Sequence, residues 1–107
     1  MLSFSNFFKF SQSQVNNAFK GAKLKAEGLG VKFLQNVLIS CKYGKLLIII
    51  PKNTGKAHER NLIRRQIKSI FYEQELFKKP VISIMLVNYK ALNLSFDKLK
   101  DFLIKNV

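Results

Sequence analysis

Apolar residues are distributed along this chain in three patterns, each predicting a different element. Two runs of strand length are almost continuously apolar, LLIII at 46–50 and VISIMLV at 81–87. Such runs fit strands buried on both faces and central in a sheet. Between them lies KNTGKAHERNLIRRQIKSIFYE, residues 52–73, where the spacing changes to that of a helix. Ile63, Ile67, Ile70 and Phe71 fall at i, i+4, i+7 and i+8 and share one face. Arg60, Arg64, Arg65 and Lys68 fall at i, i+4, i+5 and i+8 and share the adjacent face. Pro51 ends the preceding strand, because it has no N–H for a ladder. The helix is expected from Lys56 or Ala57 to about Phe77, ahead of Pro80, since the residue before a proline disfavours helix.

The third pattern is shorter and lies near the two ends. Ser11 and Gln14 make a capping box, and Val15, Ala18 and Phe19 follow at i, i+3 and i+4. Gly21 supplies a stop, so a first helix is expected at about 12–20. Residues 23–30 are basic and interrupted by glycine, and read as loop or irregular edge. Residues 29–41 alternate weakly, as one bent strand or two short ones, with 37–41 β-prone. Tyr43-Gly44 reads as a hairpin turn into the 46–50 run. Residues 88–94 read as loop. Ser95 then caps a last helix, with Asp97 in its first turn and Phe96, Leu99, Phe102 and Leu103 on its apolar face. The order is α, two or three β, α, β, α in one domain, 1–107, with its core at about 10–107. A sheet with the two apolar runs central and helices packed on it is the expected architecture.

Charge changes the picture. The 107 residues hold 19 Lys and Arg against 6 Asp and Glu, a net +13 with pI near 10.1. Six of those cations lie between Lys52 and Lys68, opposed by Glu59 alone. Such self-repulsion points to a polyanionic partner: nucleic acid first, an anionic membrane surface second. No segment reaches the roughly 18–20 apolar residues of a membrane span. The N-terminal MLSFSNFFKF lacks the charged-then-apolar plan of a signal peptide. One cysteine leaves no internal disulfide and fits a reducing compartment, so a cytoplasmic address is expected.

Candidate catalytic chemistry is sparse. Asp97 and Asp101 share a helical face, but lysines surround them, and a solvated face is the simpler reading. Cys41 reads as a small core residue. His58 reads equally as a phosphate contact or a surface residue. There is neither zinc spacing nor a GxxxxGK[ST] loop. The residues describe a binder rather than a catalyst.

The wording of residues 52–71 goes further. It resembles the signature of the bacterial ribonuclease P protein component, a strand ending S-K-K followed by x-G-x-A-x-x-R-N-R-x-K-R-x-x-R-E. Lys52, Gly55, Ala57, Arg60, Asn61, Arg64, Arg65 and Lys68 stand at matching positions. The element order also matches, over about residues 10–103. The resemblance implies a two-layer α/β domain of α+β type, with three helices on a mixed four-stranded sheet. It places the basic helix in a left-handed strand–helix–strand crossover. It implies a protein subunit that assists 5′ maturation of tRNA by a catalytic RNA, with magnesium held mainly by that RNA. Partners would be the RNA subunit and precursor tRNA, with no membrane and no obligate protein partner. By position, Lys52, Lys56, Arg60, Asn61, Arg64, Arg65 and Lys68 would face the catalytic RNA. Val15, Phe19, Lys32 and Phe33 would line a cleft for the 5′ leader, where aromatics suit stacking on any base. The chain departs from the pattern at Pro51, Asn53, Leu62 and Ser69, and where the family has an arginine after its last strand, here Val87 or Asn88. The alternative reading is a non-enzymatic, ribosome-associated RNA-binding module; a third is a basic protein on anionic membranes.

Overall fold

The computed structural model describes residues 4–37 and 42–107. Its first helix, α1 (Gln12–Lys20), is set by a local device. Ser11 Oγ accepts from the Gln14 N–H at 3.2 Å, and the Gln14 side chain accepts from the Ser11 N–H at 2.8 Å. Two donors that the helix start would leave orphaned are thereby satisfied. At the other end Gly21 has φ −112°, not a left-handed value. Its role is clearance: a Cβ there would stand 2.9 Å from the Asn36 amide. That amide is buried and donates to the Asn17 and Ala18 carbonyls at 3.2 and 3.0 Å. The sheet thus caps the end of α1 and holds it.

Four strands follow: β1 (Lys23–Gly28), β2 (Val31–Asn36), β3 (Lys45–Ile49) and β4 (Ile82–Val87). Their spatial order is β1-β2-β4-β3, with β1–β2 and β2–β4 antiparallel and β3–β4 parallel. One open alternative is resolved here and two expectations are corrected. Of the two readings of residues 23–30, loop or irregular edge, the structure takes the second: 23–28 are an edge strand whose register shifts between Leu24 and Ala26. As an edge strand with mostly exposed residues, β1 has no apolar alternation to betray it. It turns into β2 through Leu29 (φ 56°) and Gly30 (φ 82°), the pair of positive φ values a two-residue hairpin turn needs. The hairpin expected at Tyr43-Gly44 does not form, because β3 pairs with β4 and not with β2. The Gly44 N–H instead donates to the Phe77 carbonyl at 2.6 Å. Finally, of the two apolar runs only β4 is central; among the described residues β3 is an edge strand. The run at 46–50 is apolar on both faces because one face packs under α2 and the other forms part of a half-buried apolar strip with Leu34 and Leu86. Residues 38–41, including Cys41, lie outside the described residues, and Val37 is exposed beyond the end of β2.

The basic helix is α2 (Ala57–Glu73), and the last helix is α3 (Phe96–Asn106). α2 stops earlier than expected: Glu75 is left-handed (φ 54°), and a 3₁₀ turn, Leu76–Lys78, takes the chain to Pro80. A second such turn, Tyr89–Asn93, replaces the expected loop after β4. Ser95 caps α3 as expected, its hydroxyl accepting from the Lys98 N–H at 3.3 Å.

Strand alternation divides the core between two faces. Val31, Phe33, Leu46, Met85 and Val87 pack against Ile63, Ile67, Ile70 and Phe71 of α2 and Leu99 and Leu103 of α3. Ile82 and Ile84 face the other way and meet Ala18 of α1. The α2–α3 face carries the main core, and α1 covers one end of the opposite face.

Candidate nucleic-acid interface

α2 is held at its start by a loop that spends the one acid nearest to it. The Lys56 N–H donates to Glu59 Oε1 at 2.9 Å. Gly55 precedes it with φ 62°, and a Cβ there would stand 2.4 Å from Leu92. Arg60 folds back, donating to the Gly55 and Thr54 carbonyls at 2.8 and 3.4 Å. One guanidinium nitrogen therefore braces the loop, fixing Lys52 and Lys56 relative to the helix. Arg64 donates to Asn61 Oδ1 at 3.0 Å. Lys68 Nζ lies 5.4 Å from the centroid of the Phe8 ring, within cation–π range. Arg65 is exposed.

All seven cleft-independent candidates, Lys52, Lys56, Arg60, Asn61, Arg64, Arg65 and Lys68, thus belong to one loop and one helix face. Among the described residues, no acid forms an ion pair with these cations; the two salt bridges are Lys32–Glu27 at 3.7 Å and Lys78–Glu75 at 2.6 Å. Leu62 is exposed beside the row, where a family arginine would stand. His58 is exposed in the first turn, and Asp97 and Asp101 are exposed on α3. No three His, Cys, Asp or Glu side chains come together among the described residues.

The second candidate surface is divided. Phe33 does not belong to it: fully buried, it points to the α2–α3 face and meets Phe102 ring to ring at 6.3 Å. Its neighbour Lys32 points to the other face. There Lys32 lines a groove of about 730 Å³ with Ile49, Pro51, Leu86, Asn88 and Lys90, beside the β1–β2 turn. Val15 and Phe19 sit on α1 and do not line that groove; Phe19 is 39% exposed. Between helix and groove runs a half-buried apolar strip on the same sheet face, Leu34, Leu47, Ile49 and Leu86. The groove's shape rests on Gly30, where a Cβ would stand 2.5 Å from the Ala91 nitrogen. Sequence reasoning missed Leu34, Leu86 and Lys90. The alternation of β2 around Lys32 was the signal available for Leu34.

A third cationic group lies at the far end of the sheet. Lys25 donates to Gln35 Oε1 at 3.0 Å. Burial and the neighbouring Lys79 hold its ammonium below the ordinary lysine range.

No helix among the described residues is long and apolar enough to cross a membrane. Comparison with known proteins agrees with the geometry. Two curated relatives are each called a ribonuclease P protein component. One, from Onion yellows phytoplasma (strain OY-M), is 27% identical over 95 residues, covering 88% of this chain and 67% of that protein. The other, from Phytoplasma australiense, is 36% identical over 59 residues. That match covers 54% of this chain and 51% of the relative. Among solved structures, a Staphylococcus aureus RNase P protein superposes with a TM-score of 0.75 at 17% identity. It covers 94% of this chain and 91% of its own. A Thermotoga maritima RNase P protein gives 0.73 at 18% identity, with 92% of each chain covered. These two share the three helices and the mixed four-stranded sheet. The Ribonuclease P family model matches residues 6–107, nearly the whole sequence, and the chain belongs to that family.

Proposed function

We propose that this chain is the protein subunit of a bacterial ribonuclease P and assists endonucleolytic 5′ maturation of tRNA. α2 and the loop before it dock the catalytic RNA. The open face of the sheet, from Phe19 along Leu34 and Leu86 to Lys32, takes the single-stranded 5′ leader of precursor tRNA. The observation that carries this reading is the cationic row on α2, unpaired with any acid in a chain of this family. A row of that kind is completed by phosphates. The apolar strip complements it, since bases stack or pack on such a floor without sequence preference.

Hydrolysis is assigned to the RNA subunit. The described carboxylates are dispersed, so this chain's residues do not fit a role as magnesium ligands. We assign that ion to the RNA. The protein's contribution is to hold the leader and the RNA in one geometry.

The test is precursor-tRNA cleavage by the ribonuclease P RNA of the same organism at low magnesium, with and without this protein. Stimulation by the protein is expected. Equal rates with and without it refute the assignment.

A further inference from the structure

We propose that a small pocket at the free edge of β3 seats one unpaired base of the bound RNA. The pocket holds about 210 Å³ and is lined by Phe8, Leu46, Leu47, Ile48, Arg64 and Lys68. It is smaller than the roughly 300–1,000 Å³ of a drug-sized site, which suits a single flat ring. Three consecutive strand residues line it. Alternating side chains point to opposite faces, so only the strand's edge can present all three. Among the described residues β3 pairs with β4 alone, and its other edge therefore offers backbone donors and acceptors to a base edge.

The remaining walls select a nucleotide. The Phe8 ring is fixed by other rings, at 5.1 Å from Phe4, 6.4 Å from Phe7 and 5.6 Å from Phe71. Both charged lining groups, Arg64 and Lys68, are cations from the row that faces the RNA. The site thus pairs an aromatic and aliphatic interior with a cationic rim, matching a base joined to its phosphate. This rests on α2 being an RNA interface, but it adds something that a phosphate row lacks: a contact that requires a base.

The chain has no tryptophan, so Phe8→Trp places a unique fluorophore in the pocket. The probes are a single-stranded RNA of a dozen nucleotides and an abasic strand of equal length and charge, each end-labelled to follow binding by anisotropy. Both strands are expected to bind, and only the base-bearing one to quench the tryptophan by contact. Phe8→Leu keeps an apolar side chain against Phe71 and is checked for folding by thermal unfolding. It is expected to weaken the base-bearing strand about tenfold and leave the abasic strand unchanged, since stacking contributes roughly 1–3 kcal/mol per base. Quenching by both strands, or by neither while both bind, overturns the pocket. So does an equal loss of both affinities in Phe8→Leu. If neither strand binds, the reading of α2 as an RNA interface falls as well.

Discussion

Replacing Arg64 and Arg65 together with alanine separates a phosphate-binding row from a merely solvated one. Arg65 is exposed, and Arg64 makes one hydrogen bond, to Asn61 on the same helix. Neither is needed to fill the core, which α2 reaches through Ile63, Ile67, Ile70 and Phe71. Surface changes of this kind shift stability by about 0.5 kcal/mol or less, and alanine is the better helix former. Binding responds differently. Each phosphate contact adds about 0.7–0.9 to the slope of log K against log salt, so losing two lowers the slope by about 1.4–1.8. At about 0.15 M salt that is roughly a 15- to 30-fold loss of affinity.

The assay is a titration of the catalytic RNA at salt concentrations from about 50 to about 400 mM, beside thermal unfolding of the free protein. Lys98→Gln with Lys105→Gln is the control. It removes the same charge from exposed positions on α3. An unchanged slope in the arginine double variant refutes the docking face. An equal fall in the control shows that total charge matters and its placement does not. Unfolding of the arginine variant means the two side chains support the fold and the face is misassigned.

Other perturbations test the remaining geometry. Leu62→Arg places a cation at the exposed site beside the row and is expected to raise the salt slope by about 0.7–0.9 with unchanged thermal stability. Phe33→Ala, at a fully buried ring, should cost about 3–5 kcal/mol in denaturant unfolding; a mild effect on stability with a large one on leader binding would return Phe33 to the cleft. Asn36→Ala removes the amide that holds two α1 carbonyls and should cost about 1–3 kcal/mol, weakening leader-bearing precursor tRNA more than leaderless tRNA. Because Lys25 is held below the ordinary lysine range by burial and Lys79, the folded state disfavours its proton. Its penalty is present below the folded-state pKa and fades as pH rises toward the unfolded value. Lys79→Gln should therefore flatten that part of the stability–pH curve, read by chemical denaturation.

Elements whose cause is local were legible before the structure. α1 starts and ends where its capping box and Gly21 place it, and Ser95 opens α3, because caps act within a few residues. The basic row was legible for the same reason: helical spacing alone puts Arg60, Arg64 and Lys68 together. What depends on pairing was not legible. β1 is hidden because an edge strand needs no apolar face. β3 reads as central because α2 covers one of its faces and the other joins a half-buried apolar strip, so both faces are apolar. The error at Phe33 is one of register, since a shift of one residue exchanges the faces of a strand. Nothing in the spacing of the aromatic N-terminus points to the core, yet Phe7 stacks on Phe77 at 4.4 Å and Phe8 reaches Lys68. Those are contacts between residues some sixty or more positions apart.

The sheet separates two kinds of surface, and on the proposed reading each engages a different RNA segment. α2 packs on one face and presents its cations at the β3 side, while the apolar strip and Lys32 lie on the other. A polyanion bound along α2 does not occupy the strip, and a single strand on the strip leaves α2 free. The acids respect the division. Glu59 is spent on the helix start, Glu27 on Lys32 and Glu75 on Lys78, and Glu73 lies at the far end of α2. None shields the row, so the repulsion among its like charges is relieved only by bound anions. On the proposed reading, docking the RNA would stabilise the fold by mass action.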